Sequence, residues 1–316
     1  MEFQVPIREM TPGQTVEGFY LLKEANARTT ASGKPFLSAM LMDRSGEITA
    51  MAWDYSGAIT EADAGRVVKV RGEVTAYKGA SQITASRIRI AREGDEYDAE
   101  ALVPTAPIDV DAALERVRAL VESLEDVDYR RVAQTLLERN LEHLRTIPAA
   151  KSVHHAFLHG LLMHVGNMME LAEFAARQYA EVIDRSLLLT AVLAHDLRKD
   201  REFAFSELGI VTAYSTEGQL LGHSVMGAQS IAELAAELEL PEEKSLLLRH
   251  LLLSHHGEPE WGAAVRPMCA EAELLSYIDM IDSRMEIYRE ALAETPAGEF
   301  SGRVFALDGR RVYHHT

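Results

Sequence analysis

The chain has 316 residues, a formal charge of −17 and a single cysteine, with 47% apolar and 26% charged residues. That composition excludes wholesale disorder, and the length suits two or three domains. One cysteine excludes a disulfide framework and any multi-thiolate metal site. The longest apolar run, 187–194, is far short of the roughly 20 residues that span a bilayer, and the first ten residues lack the basic start and apolar core of a signal peptide. A cytoplasmic protein with no membrane partner is expected.

Charge and histidine are unevenly spread. Residues 1–92 hold 12 Lys and Arg against 10 Asp and Glu, so the acidic excess falls on the remainder. None of the 12 histidines precedes His143, and ten lie between His143 and His256. In chain order, residues 15–29, 35–42, 47–53, 66–77 and 82–90 read as strands. In the third, Ile48, Ala50 and Ala52 alternate with Thr49, Met51 and Trp53. Residues 57–64 read as a short helix between the third and fourth. Five strands so interrupted predict a small closed β-barrel of the OB type, a generic β-barrel or sandwich being the plainer reading.

Residues 93–108 are acidic and then proline-containing, as in a linker. From Val110 the period becomes helical, with Leu114, Val117, Leu120, Val121 and Leu124 on one face. Helices are expected to about residue 294 with no strand among them. The tail from Gly298 reads as a hairpin or as irregular chain. Segment 110–147 would pack on the helical core or serve assembly.

The helical half carries an ordered polar set. His164 lies inside an amphipathic helix, His195-Asp196 ends an apolar run, and Gly222-His223 opens another helix. His255-His256 precedes Gly257, and Asp279 and Asp282 lie within a further helix. Burying such groups together is costly unless they are paired or hold a metal. Imidazole and carboxylate without thiolate suit Mn²⁺, Fe²⁺, Co²⁺ or Zn²⁺. An Asp directly after a His can bridge two ions, and an ion pair of that kind can clamp a phosphoryl oxygen and activate water.

His164, His195-Asp196 and Asp279, in that order on helices, resemble the HD-domain metal-dependent phosphohydrolases. His223 and His255 resemble the members that hold a second metal. Segments 150–164, 194–202, 214–223, Ser-His-His-Gly at 254–257 and Tyr-Ile-Asp-Met-Ile-Asp-Ser-Arg at 277–284 look like the YhaM-type 3′→5′ exoribonucleases. Segment 22–37 looks like the OB start of that family. The resemblance implies an N-terminal OB barrel followed by an all-α HD domain. The corresponding division is a barrel at 1–95, linker and connecting helices at 96–147, the HD domain at 148–295 and a tail at 296–316.

It further implies that His164, His195, Asp196 and Asp279 hold one divalent ion, with Asp196 bridging to a second held by His223 and His255. Mn²⁺ is the first expectation, and Co²⁺, Fe²⁺ or Zn²⁺ the others. His256 is left for phosphate contact or alternate ligation. Lys199, about a turn after the His-Asp pair, would steady charge on the scissile phosphate. Arg198 stands where this family usually has glycine. It would strain the chain if that position is left-handed, and otherwise it would add a phosphate contact. His159 also replaces a usual glycine, and with His155 it could share a helical face. Asp282 and Arg284 would touch substrate or pair internally. His314, His315 and Cys269 have no assigned role.

In the barrel, Arg28, Lys34, Phe36, Trp53, Arg71, Tyr77 and Lys78 are candidates for stacking and charge along a single strand; barrel core is the alternative for Phe36 and Trp53, and the favoured reading for Phe36. The implied activity is stepwise hydrolysis of single-stranded RNA, with single-stranded DNA as a second candidate, to nucleoside 5′-monophosphates by a metal-activated water. The analogy leans to a homo-oligomer. Two rivals remain: an HD phosphohydrolase of nucleotides or cyclic dinucleotides, and a nucleic-acid-binding protein with a degenerate HD site.

Overall fold

The computed structural model describes residues 4–30, 32–77, 79–150 and 155–316. Lys78, named above for the barrel, lies outside them. The chain divides into two compact units, Met1–Thr105 with Ala204–Ala213, and Ala106–Phe203 with Tyr214–Thr316.

The first unit contains a closed barrel of β1 (Thr15–Thr29), β2 (Pro35–Asp43), β3 (Gly46–Trp53), β4 (Val67–Tyr77) and β5 (Ala80–Ile90) in the order β1-β2-β3-β5-β4. β1 is long enough to serve two partners. Thr15–Leu21 pairs with β4 and Leu21–Thr29 with β2, across a register shift between Leu22 and Glu24. A short parallel pairing of Thr49–Met51 on β3 with Gln82–Thr84 on β5 closes the barrel. Between Arg71 and Gly72 the β4–β5 register shifts. A Cβ on Gly72 would lie 2.4 Å from the Thr84 carbonyl oxygen, so this crossing requires glycine.

The inward alternation predicted from the sequence is the one observed. Ile48, Ala50 and Ala52 join Leu22, Leu37, Leu41, Val70, Val74 and Ile83 in one apolar core. A buried aliphatic side chain of this kind contributes about 1.5–3 kcal/mol. The segment read as a short helix after Trp53 is a single 3₁₀ turn at Glu61–Asp63.

The second unit is helical: α1 (Val110–Glu122), α2 (Val127–Arg139), α3 (Leu141–Thr146), α4 (Gly160–Gln178), α5 (Arg185–Ala194), α6 (Lys199–Glu202), α7 (Thr216–Leu220), α8 (Gly222–Glu237), α9 (Glu242–Ser254) and α10 (Ala270–Ala293). α5 is the centre. Every residue from Ser186 to Ala194 is buried, as an all-round apolar helix must be. It packs against α2, α4, α9 and α10, and α1 lies on α4, so segment 110–147 packs on the helical core. Asp109, Asp126 and Asp184 cap α1, α2 and α5 by accepting from backbone N–H groups of their first turns.

The helices are interrupted, against expectation, by β6 (Phe203–Phe205) and β7 (Val211–Tyr214), which pair as a hairpin. Runs of three and four residues are too short to reveal a strand period. The tail turns back on itself through bridges Phe300–Tyr313 and Val304–Arg310, and it buries Leu307 and Val312 against Ile287. No helix among the described residues is long and apolar enough to cross a membrane.

Candidate metal centre and nucleic-acid face

Five helices of the second unit deliver the polar set. His164 sits in the second turn of α4, and His195 ends α5 with Asp196 one residue beyond. His223 is in the first turn of α8, His255 ends α9, and Asp279 and Asp282 lie along α10. Asp196 is the hub. Its Oδ2 lies 3.3 Å from His195 Nε2 and 3.6 Å from His164 Nε2, and its Oδ1 lies 3.4 Å from His223 Nε2. Asp279 Oδ1 is 3.4 Å from His164 Nε2, and His223 Nε2 is 3.3 Å from His255 Nε2. Among the described residues three trios result, His164–His195–Asp196, His223–His255–His256 and, behind His164, His155–His164–Asp282, and in each the potential ligand atoms lie within 4.8 Å of one another.

The imidazoles share one orientation. Each of the four has Nδ1 engaged: His164 with Asp282 (2.6 Å), His195 with the Val192 carbonyl (2.7 Å), His223 with Glu202 (2.9 Å) and His255 with the Leu252 carbonyl (2.7 Å). A carbonyl only accepts, so His195 and His255 carry their proton on Nδ1 and keep the Nε2 lone pair for the centre. His195 Nε2 is buried and makes no hydrogen bond among the described residues. Such an orphaned acceptor, beside carboxylates and without thiolates, fits a divalent cation.

The electrostatics point the same way. Burial holds His255 well below its ordinary pKa, so it is neutral and ready to ligate. Burial disfavours the charged form of Asp196, but neighbouring positive charge, the Lys199 ammonium bonded to it included, outweighs it and keeps the carboxyl well below the usual range. Burial also lowers His164, yet Asp279 and Asp282 overcome this and raise it to about 10. Ligation by His164 therefore has to release a proton.

The cleft over this cluster measures about 550 Å³. Its lining includes Asp196, Lys199, His223, His255, His256 and Asp279. Lys199 donates to Asp196 Oδ2 at 2.6 Å. His255 and His256 both reach the cleft, their rings 4.0 Å apart, and His256 Nδ1 is buried with no hydrogen-bond partner among the described residues.

Arg198 is not brought there. Its φ of −81° is ordinary, so no left-handed strain arises, and its guanidinium donates to Asn140 and faces Asp200 at 3.6 Å. It lines a different, 350 Å³ pocket with His143 and Asp200. Arg284 is half-buried on α10 and is not among the residues lining the cleft.

His155 and His159 do not share a helical face. Both precede α4 and take left-handed conformations, φ 55° and 64°. His159 thus occupies the backbone state that glycine takes without strain, and its ring bonds the Arg145 carbonyl. His155 donates to Asp282 at 2.7 Å, so Asp282 is an internal partner of two histidines.

Sequence reasoning did not single out Glu202. It accepts from both the backbone N–H and Nδ1 of His223. The glycine of Ser-Thr-Glu-Gly makes this contact possible, since a Cβ on Gly218 would lie 2.3 Å from the Glu202 carbonyl oxygen.

On the barrel, neighbouring strands align Arg28, Phe36 and Trp53 in one cross-strand row. Phe36 is half-buried on this outer row and not in the core, because it falls on the outward phase of β2; its ring lies 5.4 Å from that of Trp53, which is 53% exposed. Lys34 sits at the adjacent turn, 3.4 Å from Asp54. Arg71 belongs to the β1–β4 side, 3.7 Å from Glu17, apart from that row. Tyr77 is exposed at the end of β4.

Comparison with protein families matches residues 161–284 to the HD domain and residues 16–91 to an OB-fold nucleic acid binding domain. Among solved structures, a domain of replication protein A from Methanococcus maripaludis is similar at 20% identity, over 28% of this chain and 94% of that one, with a TM-score of 0.25. The second OB-fold domain of the same organism's replication protein A gives 19% identity, 30% and 100% coverage and a TM-score of 0.24. A replication protein A heterotrimer bound to ssDNA gives 15%, 29%, 68% and 0.21. The chain thus joins an N-terminal OB-fold nucleic-acid-binding domain to a helical HD domain.

Proposed function

We propose that the protein is a 3′→5′ exoribonuclease that hydrolyses single-stranded RNA to nucleoside 5′-monophosphates. One observation carries the reading. Four imidazoles and two carboxylates gather in one cluster of an HD domain, with His223, His255, Asp196 and Asp279 lining its cleft, in a chain that also holds an OB-fold nucleic-acid-binding domain. The 3′ polarity and the monophosphate product rest on the resemblance of segments 150–164, 194–202, 214–223, 254–257 and 277–284 to YhaM-type exoribonucleases.

His164, His195, Asp196 and Asp279 would hold one divalent ion, and His223 and His255 a second, with Asp196 shared between them. When bound, such ions supply Lewis acidity toward phosphoryl oxygen and make a bound water nucleophilic near neutral pH. The chain's own residues do the rest. Asp282 and Glu202 fix the imidazole rings of His164 and His223. The Lys199 ammonium, held at the cleft by Asp196, places a positive charge beside the scissile phosphate. His256 offers a neutral ring, its pKa lowered by burial and by His223, as a phosphate contact. On the barrel, Phe36 and Trp53 stack bases, with Arg28 and Lys34 near the backbone.

The test is incubation of 5′-labelled single-stranded RNA with the protein and Mn²⁺ on a denaturing gel, beside Asp196→Asn. A ladder shortening from the 3′ end, absent with the variant, is expected. Intact RNA from a metal-loaded wild type would overturn the reading and move the search to mononucleotide substrates.

A further inference from the structure

We propose that Tyr214 and Trp261 form a base-stacking subsite at the cleft, holding the terminal nucleobase by its faces while its phosphate lies at Lys199 and the histidines. The inference rests on the exonuclease reading only for calling that nucleotide the 3′ end of an RNA.

Both rings line the same 550 Å³ cleft as Asp196, Lys199 and His256. Both are unusually open for large aromatics in such a place, Tyr214 at 46% and Trp261 at 60% exposure. A lone exposed aromatic needs no explanation, but two on the rim of one polar cleft offer π-faces to a planar ligand.

Neither ring hangs on a loose segment. Trp261 ends a 3₁₀ turn, Pro259–Trp261, directly after the His-His-Gly of α9. The loop is tied by Trp261 N–H to the Glu258 carbonyl (2.9 Å), Gly262 N–H to Pro259 (3.1 Å), Ala263 N–H to Glu258 (3.2 Å) and Ala264 N–H to Leu253 (2.9 Å). Gly262, at φ +109°, turns the chain so closely over His256 that a Cβ there would lie 3.1 Å from His256 Nδ1. The backbone that carries the indole is therefore held next to a residue of the second histidine trio. Tyr214 ends β7 and is backed by the buried Phe203, ring centroids 5.3 Å apart and nearly perpendicular.

Among the described lining residues, two polar groups that could read base edges are already committed. Glu202 spends both oxygens on His223, and Ser283 donates to the Met280 carbonyl. A site that grips the face of a base and ignores its edge accepts all four nucleotides, with purines favoured by ring area. That is the selectivity required of an enzyme that removes residues one after another from any sequence.

The experiment uses the full chain with Mn²⁺ and two RNAs, one ending in an ordinary nucleotide and one ending in an abasic ribose. Trp261→Ala and Tyr214→Ala are expected to raise KM about 5- to 150-fold on the ordinary end, the range for losing one stacked base. They are expected to change KM less than twofold on the abasic end, and Trp261→Phe should restore most of the loss. An unchanged KM on the ordinary end, or an equal loss on both ends, overturns the subsite.

A second readout does not need turnover. In a Trp53→Phe background, Trp261 is the remaining indole. A nucleoside 5′-monophosphate should quench its fluorescence, and ribose 5-phosphate should not. Quenching by neither, or by both alike, overturns the proposal. Quenching by the nucleotide in a protein that leaves RNA intact keeps the subsite and removes the exonuclease reading.

Discussion

Asp282 binds His164 from behind: its Oδ2 accepts from His164 Nδ1 at 2.6 Å and from His155 Nε2 at 2.7 Å, while Oδ1 accepts from Asn167 at 2.9 Å. The His164 ring therefore has its outer nitrogen fixed by a buried carboxylate, and its Nε2 faces Asp196 and Asp279. Carboxylate–histidine pairs of this kind set tautomer, orientation and basicity of a metal ligand.

Asp282→Asn keeps the volume and removes the charge that holds the ring. Metal affinity is expected to fall about 10- to 100-fold, the usual cost of losing such a partner. Titration of the metal-free protein with Mn²⁺, followed by isothermal calorimetry, measures it. His155→Ala should act in the same direction and more weakly, since it touches Asp282 and not His164's inner nitrogen. Equal affinity for wild type and Asp282→Asn would show that His164 is not a ligand or needs no orienting group.

Lys199 separates metal binding from turnover. Its Nζ occupies Asp196 Oδ2 at 2.6 Å, the oxygen nearest His195 and His164. An ammonium and a divalent cation compete for that oxygen. Lys199→Ala is expected to tighten Mn²⁺ binding severalfold while lowering kcat about 10²- to 10³-fold, the range seen when one charge-stabilising group is removed. Loss of metal binding together with kcat would place Lys199 in a purely structural role.

Arg198 is a residue whose consequence the sequence could not decide. Replacement of a glycine matters only if the backbone needs a positive φ or a close approach, and neither is visible in a string of residues. With φ at −81° and the side chain on Asn140 and Asp200, the arginine is a structural tie away from the cleft. Arg198→Gly is expected to lower stability by about 1–3 kcal/mol, through added chain entropy and lost partners for buried polar groups. Activity on RNA at a temperature where the variant is folded should stay within twofold. A Tm scan and a turnover assay check the two halves, and a variant that is more active would return Arg198 to the cleft.

The barrel strands and the ordered ligand set were legible for physical reasons. Period-two alternation marks inward positions such as Ile48, Ala50 and Ala52, and histidines at the ends of apolar helices have to be accounted for when buried. The rest depends on what folds against what. Glu202 stands in the run Lys-Asp-Arg-Glu, where nothing but the third dimension distinguishes the one carboxylate that grips His223. His159 stands where a glycine is usual, but whether that position is left-handed is settled only by its φ of 64°. Phe36 looks like core by hydrophobicity, yet its register opposite Arg28 and Trp53 turns it outward.

That outward row has a measurable signature. Phe36 and Trp53 provide stacking surface, but among the described residues the cations beside them are few: Arg28 in the same cross-strand row, and Lys34 already facing Asp54. Binding of single strands to the barrel face should therefore depend on bases more than on phosphates. Trp53→Ala is expected to weaken RNA binding about 5- to 150-fold, with a stability cost of about 1 kcal/mol from the lost ring pair. The salt dependence should be shallow. Two phosphate contacts on a single strand give a slope of log K against log salt of about −1.4, because each neutralised phosphate contributes about −0.7. A fluorescence anisotropy series from low to moderate salt, run with an inactive Asp196→Asn background to keep the RNA whole, measures both quantities. A slope of about −3 or steeper would mean that cations outside this row carry the strand, and an unaffected Trp53→Ala would mean that the strand does not cross this face.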